Sequence, residues 1–526
     1  MIHKRLEALN QVGWLRHIVL VLLGTSLTFA YSPYTLTYLP LLVLPCVVLL
    51  IKPLKPKQAF RAGFFFGLGW LGAGLSWILV SIDTYGGMPL IADIAVLGLL
   101  IAYLALFPAL AFYSWRKLSL KVPYAYFSLV LFWFISEWLR GWLFTGFPWL
   151  QLGYTQTDAW LGGLASTIGQ RGITAVLWFI ALSIAAAVVG SLRCRIYAAL
   201  MLLVFFTASY ILPKLQPLHR TDTKTSVLLV QGNISQTLKW QADQQWPNIL
   251  RYLDLTRPNY QHDIIVWPES AITALEPYAD DVLSTIDQSA AMNGAALISG
   301  IIDYQSTRDQ FYNTMIVLGD ESGIDGFDTP YQYGSSNRYQ KHHLLPIGEF
   351  VPFENLLRPI APLFNLPMSS FQRGEYIQPN LLANGHRLAA AICYEIVFAD
   401  QVRANVSADT DYLITVSNDT WFGDSHGPWQ HMQIARMRAM ELGRPLIRST
   451  NNGVSAMTDE QGRIIAIAPQ FKATTVSAEL PVVRGTTLFQ QWGNWPADLL
   501  AVLSLLPLIR LFNRTDRGQS QEKSVQ

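Results

Sequence analysis

The chain has 526 residues, of which 51% are hydrophobic and 14% charged, with a mean hydropathy of +0.26 and a formal charge of +2. That length allows two or three domains with substantial cores, and the near-neutral charge excludes a general polyanion-binding surface, so no nucleic-acid partner is expected. The 17 Trp, 22 Tyr and 26 Phe supply many of the amphipathic rings that settle at membrane interfaces.

A membrane-crossing helix needs about 20 mostly apolar residues. Seven such stretches precede residue 215, near 13–31, 36–51, 60–82, 89–113, 123–144, 172–190 and 196–212, and an eighth lies near 496–512. The first follows His3, Lys4 and Arg5, but further apolar stretches come at once and no clear small-residue cleavage site intervenes. It therefore reads as a span rather than a signal peptide. Connections after even-numbered stretches are basic: Lys52, Lys55, Lys57 and Arg61, then Arg116, Lys117 and Lys121, then Arg193 and Arg195. The segments 32–35 and 83–88 contain no Lys or Arg, whereas Arg510, Arg514 and Arg517 make the C-terminal end basic. Basic loops stay cytoplasmic, so both termini are expected inside and the long segment between the seventh and eighth stretches outside. The expected organisation is a seven-helix membrane domain over 1–215, an outer domain over 222–485, an eighth helix over 496–512 and a polar cytoplasmic tail over 513–526.

Gly67, Gly69 and Gly72 match the spacing of a dinucleotide-binding fingerprint, but no βαβ unit surrounds them. Within an apolar run, and with Gly63 four residues before Gly67, they point to close helix packing. The aromatic, Gly-rich run TGFPWLQLGYTQTDAWLGG (145–163) has two open readings: an interfacial loop anchored by Trp149 and Trp160, or the wall of a lipid-access site.

From about 222 the pattern changes to short β-branched runs alternating with amphipathic stretches. SVLLVQG (226–232), DIIVWPE (263–269), ALISGII (296–302), LAAAIC (388–393) and DYLITVS (411–417) read as buried strands. DDVLSTIDQSAAM (280–292) and QHMQIARMRAMELG (430–443) read as helices, so a layered α/β domain is expected.

Three residues in this domain form a coherent chemical set. Cys393 closes an apolar strand, at the end where side chains project into a crevice. The other cysteines, Cys46 and Cys194, lie in or beside distant apolar runs, so Cys393 is expected unpaired. Glu269 ends another strand in VWPES, where Pro268 stops the ladder. Lys341 lies in YQKHHLLPIGEFVPF (339–353). A thiol of pKa about 8.5 is mostly protonated at neutral pH, and needs a base and a nearby cation to act as a nucleophile. Glu269 suits the base. Lys341 suits the cation and, with the backbone N–H of Tyr394, the oxyanion donor. Adjacent His342 and His343 point to opposite faces of an extended segment, and with His426 and His431 they make no metal-ligand spacing, so no metal is expected.

WPES, the Lys341 segment and ICYE together resemble the Glu-Lys-Cys triad of the nitrilase, or carbon–nitrogen hydrolase, superfamily, in the same chain order. The run SNDTWFGDSHGPWQHMQIARMRAMELGRPLIRSTNNGVSA (417–456), the TGFPW loop and the eight-span layout resemble, more narrowly, the apolipoprotein N-acyltransferases. The resemblance covers nearly the whole chain. It implies an α-β-β-α sandwich on the periplasmic side of a bacterial inner membrane, carried by about eight transmembrane helices. It also implies a ping-pong reaction without a cofactor. Cys393 would take an acyl chain from the sn-1 position of a phospholipid as a thioester, then pass it to the α-amine of a diacylglyceryl-modified apolipoprotein. Carried over by position, Glu349 would orient Lys341, Tyr394 and Glu395 would shape the nucleophile pocket, and Trp240, Trp149 and Trp421 would bind or gate substrate. The alternatives are a membrane-tethered amidase or nitrilase with water as acceptor, and an inactive lipid carrier, against which an intact triad weighs.

Overall fold

A computed structural model of the chain describes residues 13–323, 330–350 and 370–506. The chain divides into two compact units. The first comprises Met1–Ser76, Ile94–Leu215 and Trp492–Gln526, and the second Trp77–Asp93 and Gln216–Gln491.

The first unit is helical. Among the described residues, four helices are long and apolar enough to cross a membrane, within Gly13–Ala30, Leu90–Lys121, Trp160–Val189 and Leu192–Leu215. The number is five if Pro56–Gly74 and Ile78–Tyr85, the latter counted in the second unit, form one broken span. These segments contain helices α1 (Gly13–Ser26), α3 (Pro56–Gly74), α4 (Ile78–Tyr85), α5 (Leu90–Lys121), α7 (Ala165–Val189) and α8 (Leu192–Ile211). The apolar stretch near 36–51 folds as the shorter helix α2, Leu39–Ile51, and that near 123–144 gives a six-residue 3₁₀ segment, Pro123–Ser128, and then the 12-residue helix α6, Leu129–Arg140. Of the stretch near 496–512, the residues beyond 506 lie outside the described ones, as does the tail 513–526.

Close packing explains the glycines of α3. A Cβ on Gly67 would come within 3.0 Å of the Ala105 Cα of α5, and one on Gly69 within 2.1 Å of the Val21 carbonyl of α1. No phosphate-binding turn surrounds them; they let three helices touch.

The second unit holds two six-stranded sheets. The first, in order β12-β1-β2-β3-β4-β5, contains β1 (His219–Gln231), β2 (Ile264–Val266), β3 (Ala296–Gln305), β4 (Gln310–Gly319), β5 (Arg338–Gln340) and β12 (Thr474–Arg484). The second, in order β11-β10-β9-β8-β7-β6, contains β6 (Leu381–Ala383), β7 (His386–Ile392), β8 (Tyr412–Ser417), β9 (Leu446–Thr450), β10 (Ala456–Thr458) and β11 (Ile464–Ile467). In both, the central three strands run parallel and the flanking ones antiparallel.

Strand side chains alternate between faces, and here both faces are buried, which is why the central runs are almost continuously apolar. Val227, Leu229, Ile264, Val266 and Ile298 share one core with Leu388, Ala390, Ile392, Ile414 and Val416 of the opposite sheet. The intervening residues Leu228, Val230, Ile265 and Leu297 face outward. They pack with Ile249 and Leu253 of α10 (Gln245–Thr256) and Leu283 and Ile286 of α11 (Asp280–Ala291). On the second sheet, α12 (Ala399–Ala404) packs at β7 and α13 (Gly427–Leu442) at β9. The result is four layers, helix, sheet, sheet, helix. The parallel strands of both sheets deliver their carboxyl ends to one region, and that is where the polar residues collect.

Candidate active site

Glu269 follows β2 by three residues, and the next residue, Ser270, takes φ +47°. Cys393 directly follows β7 and itself has φ +53°. Both turns place a non-glycine residue in a sparsely populated backbone region, a strain that persists only where the surroundings fix it. For Glu269 the fixing neighbour is Gly300 of β3, where a Cβ would come within 2.4 Å of the Ser270 nitrogen and 2.8 Å of the Glu269 Cα.

The buried Lys341 follows β5, and its ammonium donates to Glu349 Oε1 at 2.8 Å and stands 3.7 Å from Glu269 Oε1. Asn313 of β4 bridges the same carboxylates, donating to Glu269 Oε1 at 2.8 Å and Glu349 Oε1 at 2.9 Å. The other Glu269 oxygen accepts the backbone N–H of Asn418 at 2.9 Å, at the end of β8. Glu349 Oε2 accepts the Leu345 N–H at 2.7 Å. Each carboxylate is thus held by donors on both oxygens.

The charges of Glu269, Lys341 and Asp419 all bear on the Cys393 sulfur. Burial, with Glu269 adding to it, pushes the thiol up to about 12, while Lys341 and a bond with Ser417 pull the other way. The resting group is therefore a thiol, which needs a base at the moment of attack. For Lys341, burial disfavours the charge, but Glu349, Glu269 and Cys393 outweigh it and hold the ammonium above the usual lysine range.

Glu395, fully buried two residues after Cys393, ties the nucleophile turn to the lysine segment. It accepts the N–H of Ile392 at 2.7 Å and, from the other segment, those of His342 at 2.7 Å and His343 at 3.0 Å. Tyr339 and Gln401 donate to it as well, at 3.1 and 2.8 Å. Tyr394 is buried, with its ring edge-on to Phe398.

Behind the nucleophile lies a second network. His431 Nε2 stands 3.0 Å from the Cys393 carbonyl, where a ring nitrogen can only donate. Its Nδ1 lies 3.0 Å from the Arg448 guanidinium, which also donates to Asp419 Oδ2 at 2.9 Å. Burial and the Arg448 charge push His431 below the usual histidine range, opposed by Asp419, whose Oδ1 lies 3.3 Å from Nδ1.

The turn Asp419–Phe422 that carries Asp419 and Trp421 is gripped by residues 77–85 of the same unit. Ser81 Oγ donates to the Trp421 carbonyl at 2.6 Å, Tyr85 packs edge-on to the Trp421 ring and Trp77 edge-on to Phe422. Trp240 is 39% exposed, at the end of the short helix α9 (Gln236–Lys239), and Trp421 is partly exposed. Trp149 belongs to the first unit, buried with its ring stacked on Phe147, and Arg140 donates to its carbonyl at 2.9 Å. Trp160 of the same loop is 57% exposed and stacks on Tyr210.

Glu269, Lys341, Cys393, Glu349, Glu395 and Tyr394 thus collect around one set of strand ends. Asn313 and Lys239 join them without having been marked by any motif, and Asn418 joins them from the run 417–456. Asn313 left one trace, a lone amide within the apolar run of β4.

Comparison with known proteins adds to this geometry. A family model for "Carbon-nitrogen hydrolase" matches residues 227–488, and one for "Apolipoprotein N-acyltransferase N-terminal domain" matches 23–183. Curated relatives named apolipoprotein N-acyltransferase are similar over nearly the whole chain. That of Vibrio vulnificus is 46% identical, covering 93% of this chain and 96% of its own length. The Shewanella oneidensis protein is 45% identical over 94% and 96%, and the Haemophilus influenzae protein 39% over 93% and 94%.

Proposed function

The chain belongs to the apolipoprotein N-acyltransferase family, and on that premise we propose that it transfers a fatty acyl group from the sn-1 position of a phospholipid, through a Cys393 thioester, to the α-amine of a diacylglyceryl-modified lipoprotein. The observation that carries the reading is the meeting of the half-buried Cys393 thiol with a buried carboxylate and a buried ammonium at the strand ends. In the first half-reaction Glu269 takes the Sγ proton as sulfur attacks the ester carbonyl. Lys341, oriented by Glu349, and the Tyr394 N–H stabilise the negative oxygen. The carbon–oxygen bond then breaks, and the lysophospholipid leaves with the proton returned by Glu269. In the second, the acceptor amine attacks the thioester, Glu269 takes the amine proton, and the carbon–sulfur bond breaks as Glu269 passes that proton to Sγ, regenerating the thiol.

A long apolar donor requires the site to meet the bilayer, which the apolar helices of the first unit support. We assign the chain eight spans in a bacterial inner membrane, with the sheet domain periplasmic and both termini cytoplasmic, on the alternation of basic loops. Trp240, Trp149 and Trp421 are assigned to substrate binding or gating.

Incubating the purified protein with phospholipid and a diacylglyceryl-cysteine peptide tests the assignment. An N-acylated peptide supports it; release of free fatty acid alone would make the protein a hydrolase instead.

A further inference from the structure

Lys239 ends α9 with its side chain turned inward, 2% exposed. Its ammonium donates to the main-chain carbonyl of Glu269 at 3.0 Å. Asn248 of α10 holds the carbonyl of Lys239 itself at 3.2 Å. At the start of the same helix, Gln236 accepts from the Asn418 side chain at 2.7 Å, and the Asn418 backbone N–H is bonded to Glu269 Oε2. One short helix therefore reaches Glu269 twice, directly at its main chain and through Asn418 at its carboxylate.

We infer that Lys239 is a positioning residue for thioester formation, whose ammonium fixes the main chain of Glu269 and adds a second positive charge beside the Cys393 sulfur as its proton leaves. This rests on the Cys393 thioester proposed above. An ammonium buried this deeply is costly unless it has such partners, and the Ser270 turn, with φ +47°, has Lys239 as a donor at its entrance.

Lys239 differs from Lys341 in one respect that an experiment can read. Lys341 is held charged well above the usual lysine range, whereas burial pushes Lys239 down to about 8, with Glu269 and Cys393, the charged and titratable groups that bear on it, opposing. The Lys239 charge is present below that pH and is lost as pH rises through it.

The test follows Cys393 acylation by intact mass from pH 6 to 9.5, in the full chain with phosphatidylethanolamine in detergent micelles. It compares wild type, Lys239→Arg and Lys239→Met. Wild type is expected to slow above pH about 8 as the charge is lost, and Lys239→Arg, charged throughout, to lack that decline. Lys239→Met is expected to run about tenfold slower at pH 7, the size of one unit in the sulfur's pKa. Equal rates in all three proteins, or a decline kept unchanged in Lys239→Arg, would overturn the inference while leaving the thioester standing. A wild type that forms no thioester overturns the proposed function and this inference with it. Should Lys239→Met unfold, the Lys239→Arg profile decides alone.

Discussion

Lys341 donates to Glu349 at 2.8 Å, nearly an ångström closer than its 3.7 Å approach to Glu269. The ammonium is thus anchored by one carboxylate and stands farther from the other. Glu349→Gln preserves the shape and removes the anchoring charge. Acylation of Cys393 in this variant is expected to fall by about 10²-fold, comparable to losing one oxyanion donor, while the thermal midpoint of the full chain moves little. Stopped-time intact-mass assays beside a melting curve check both halves.

Glu395 receives three backbone N–H groups, from Ile392, His342 and His343. Glu395→Gln turns an NH₂ toward donors it cannot accept, and the cost expected is about 1–3 kcal/mol. Because the same bonds set the Lys341 segment against the Cys393 turn, acylation should fall with stability. Tyr339→Phe removes one side-chain donor and leaves the backbone bonds, so its loss should be the smaller of the two.

Gly300 makes a similar point through sterics. Gly300→Ala drives a methyl to within 2.4 Å of the Ser270 nitrogen and 2.8 Å of the Glu269 Cα. Backbone is rigid there, so the turn must move. The expected destabilisation is about 1–3 kcal/mol, with a drop in acylation larger than that loss of folded protein explains. An acylation rate that merely tracks the folded fraction would show that the Glu269 turn had not shifted.

These residues show what the sequence makes legible. The apolar runs ending in WPES and ICYE announce two strand ends bearing a carboxylate and a thiol, because burial on both faces imposes a continuous pattern. Lys341 is different: nothing in its own segment distinguishes an inward lysine from a solvated one, and the chemistry of the set with Glu269 and Cys393, together with the resemblance to a known family, singles it out. Lys239 in QTLKW carries no mark at all, since its burial depends on α10 and the Glu269 turn closing over it. The short strands β5, β6 and β10, three residues each, escape periodicity because too few positions alternate. The 77–85 segment reads as the end of the apolar stretch 60–82 and the start of a connection, yet its Trp77, Ser81 and Tyr85 grip the turn at 419–422.

Asp419 yields a pH prediction. Burial opposes its charge, but Arg448, His431 and Ser417 together hold its carboxyl well below the usual range. A depressed carboxyl stabilises the fold above its unfolded pKa of about 3.9 and loses that contribution as pH falls below it. Asp419→Asn should therefore destabilise the full chain at pH 7, on the order of 3 kcal/mol for breaking a buried ion pair. The gap to wild type should shrink as pH falls below about 4. Melting curves of both proteins at pH 7 and pH 3.5 read the difference directly.

The central claim is that Cys393 carries the acyl group. Mass measurement of the intact protein after exposure to phospholipid alone tests it without any acceptor. One added acyl chain is expected, mapped to Cys393, removed by neutral hydroxylamine and absent in Cys393→Ala. An unmodified protein, or an adduct that survives hydroxylamine or maps to Cys46 or Cys194, would contradict that claim.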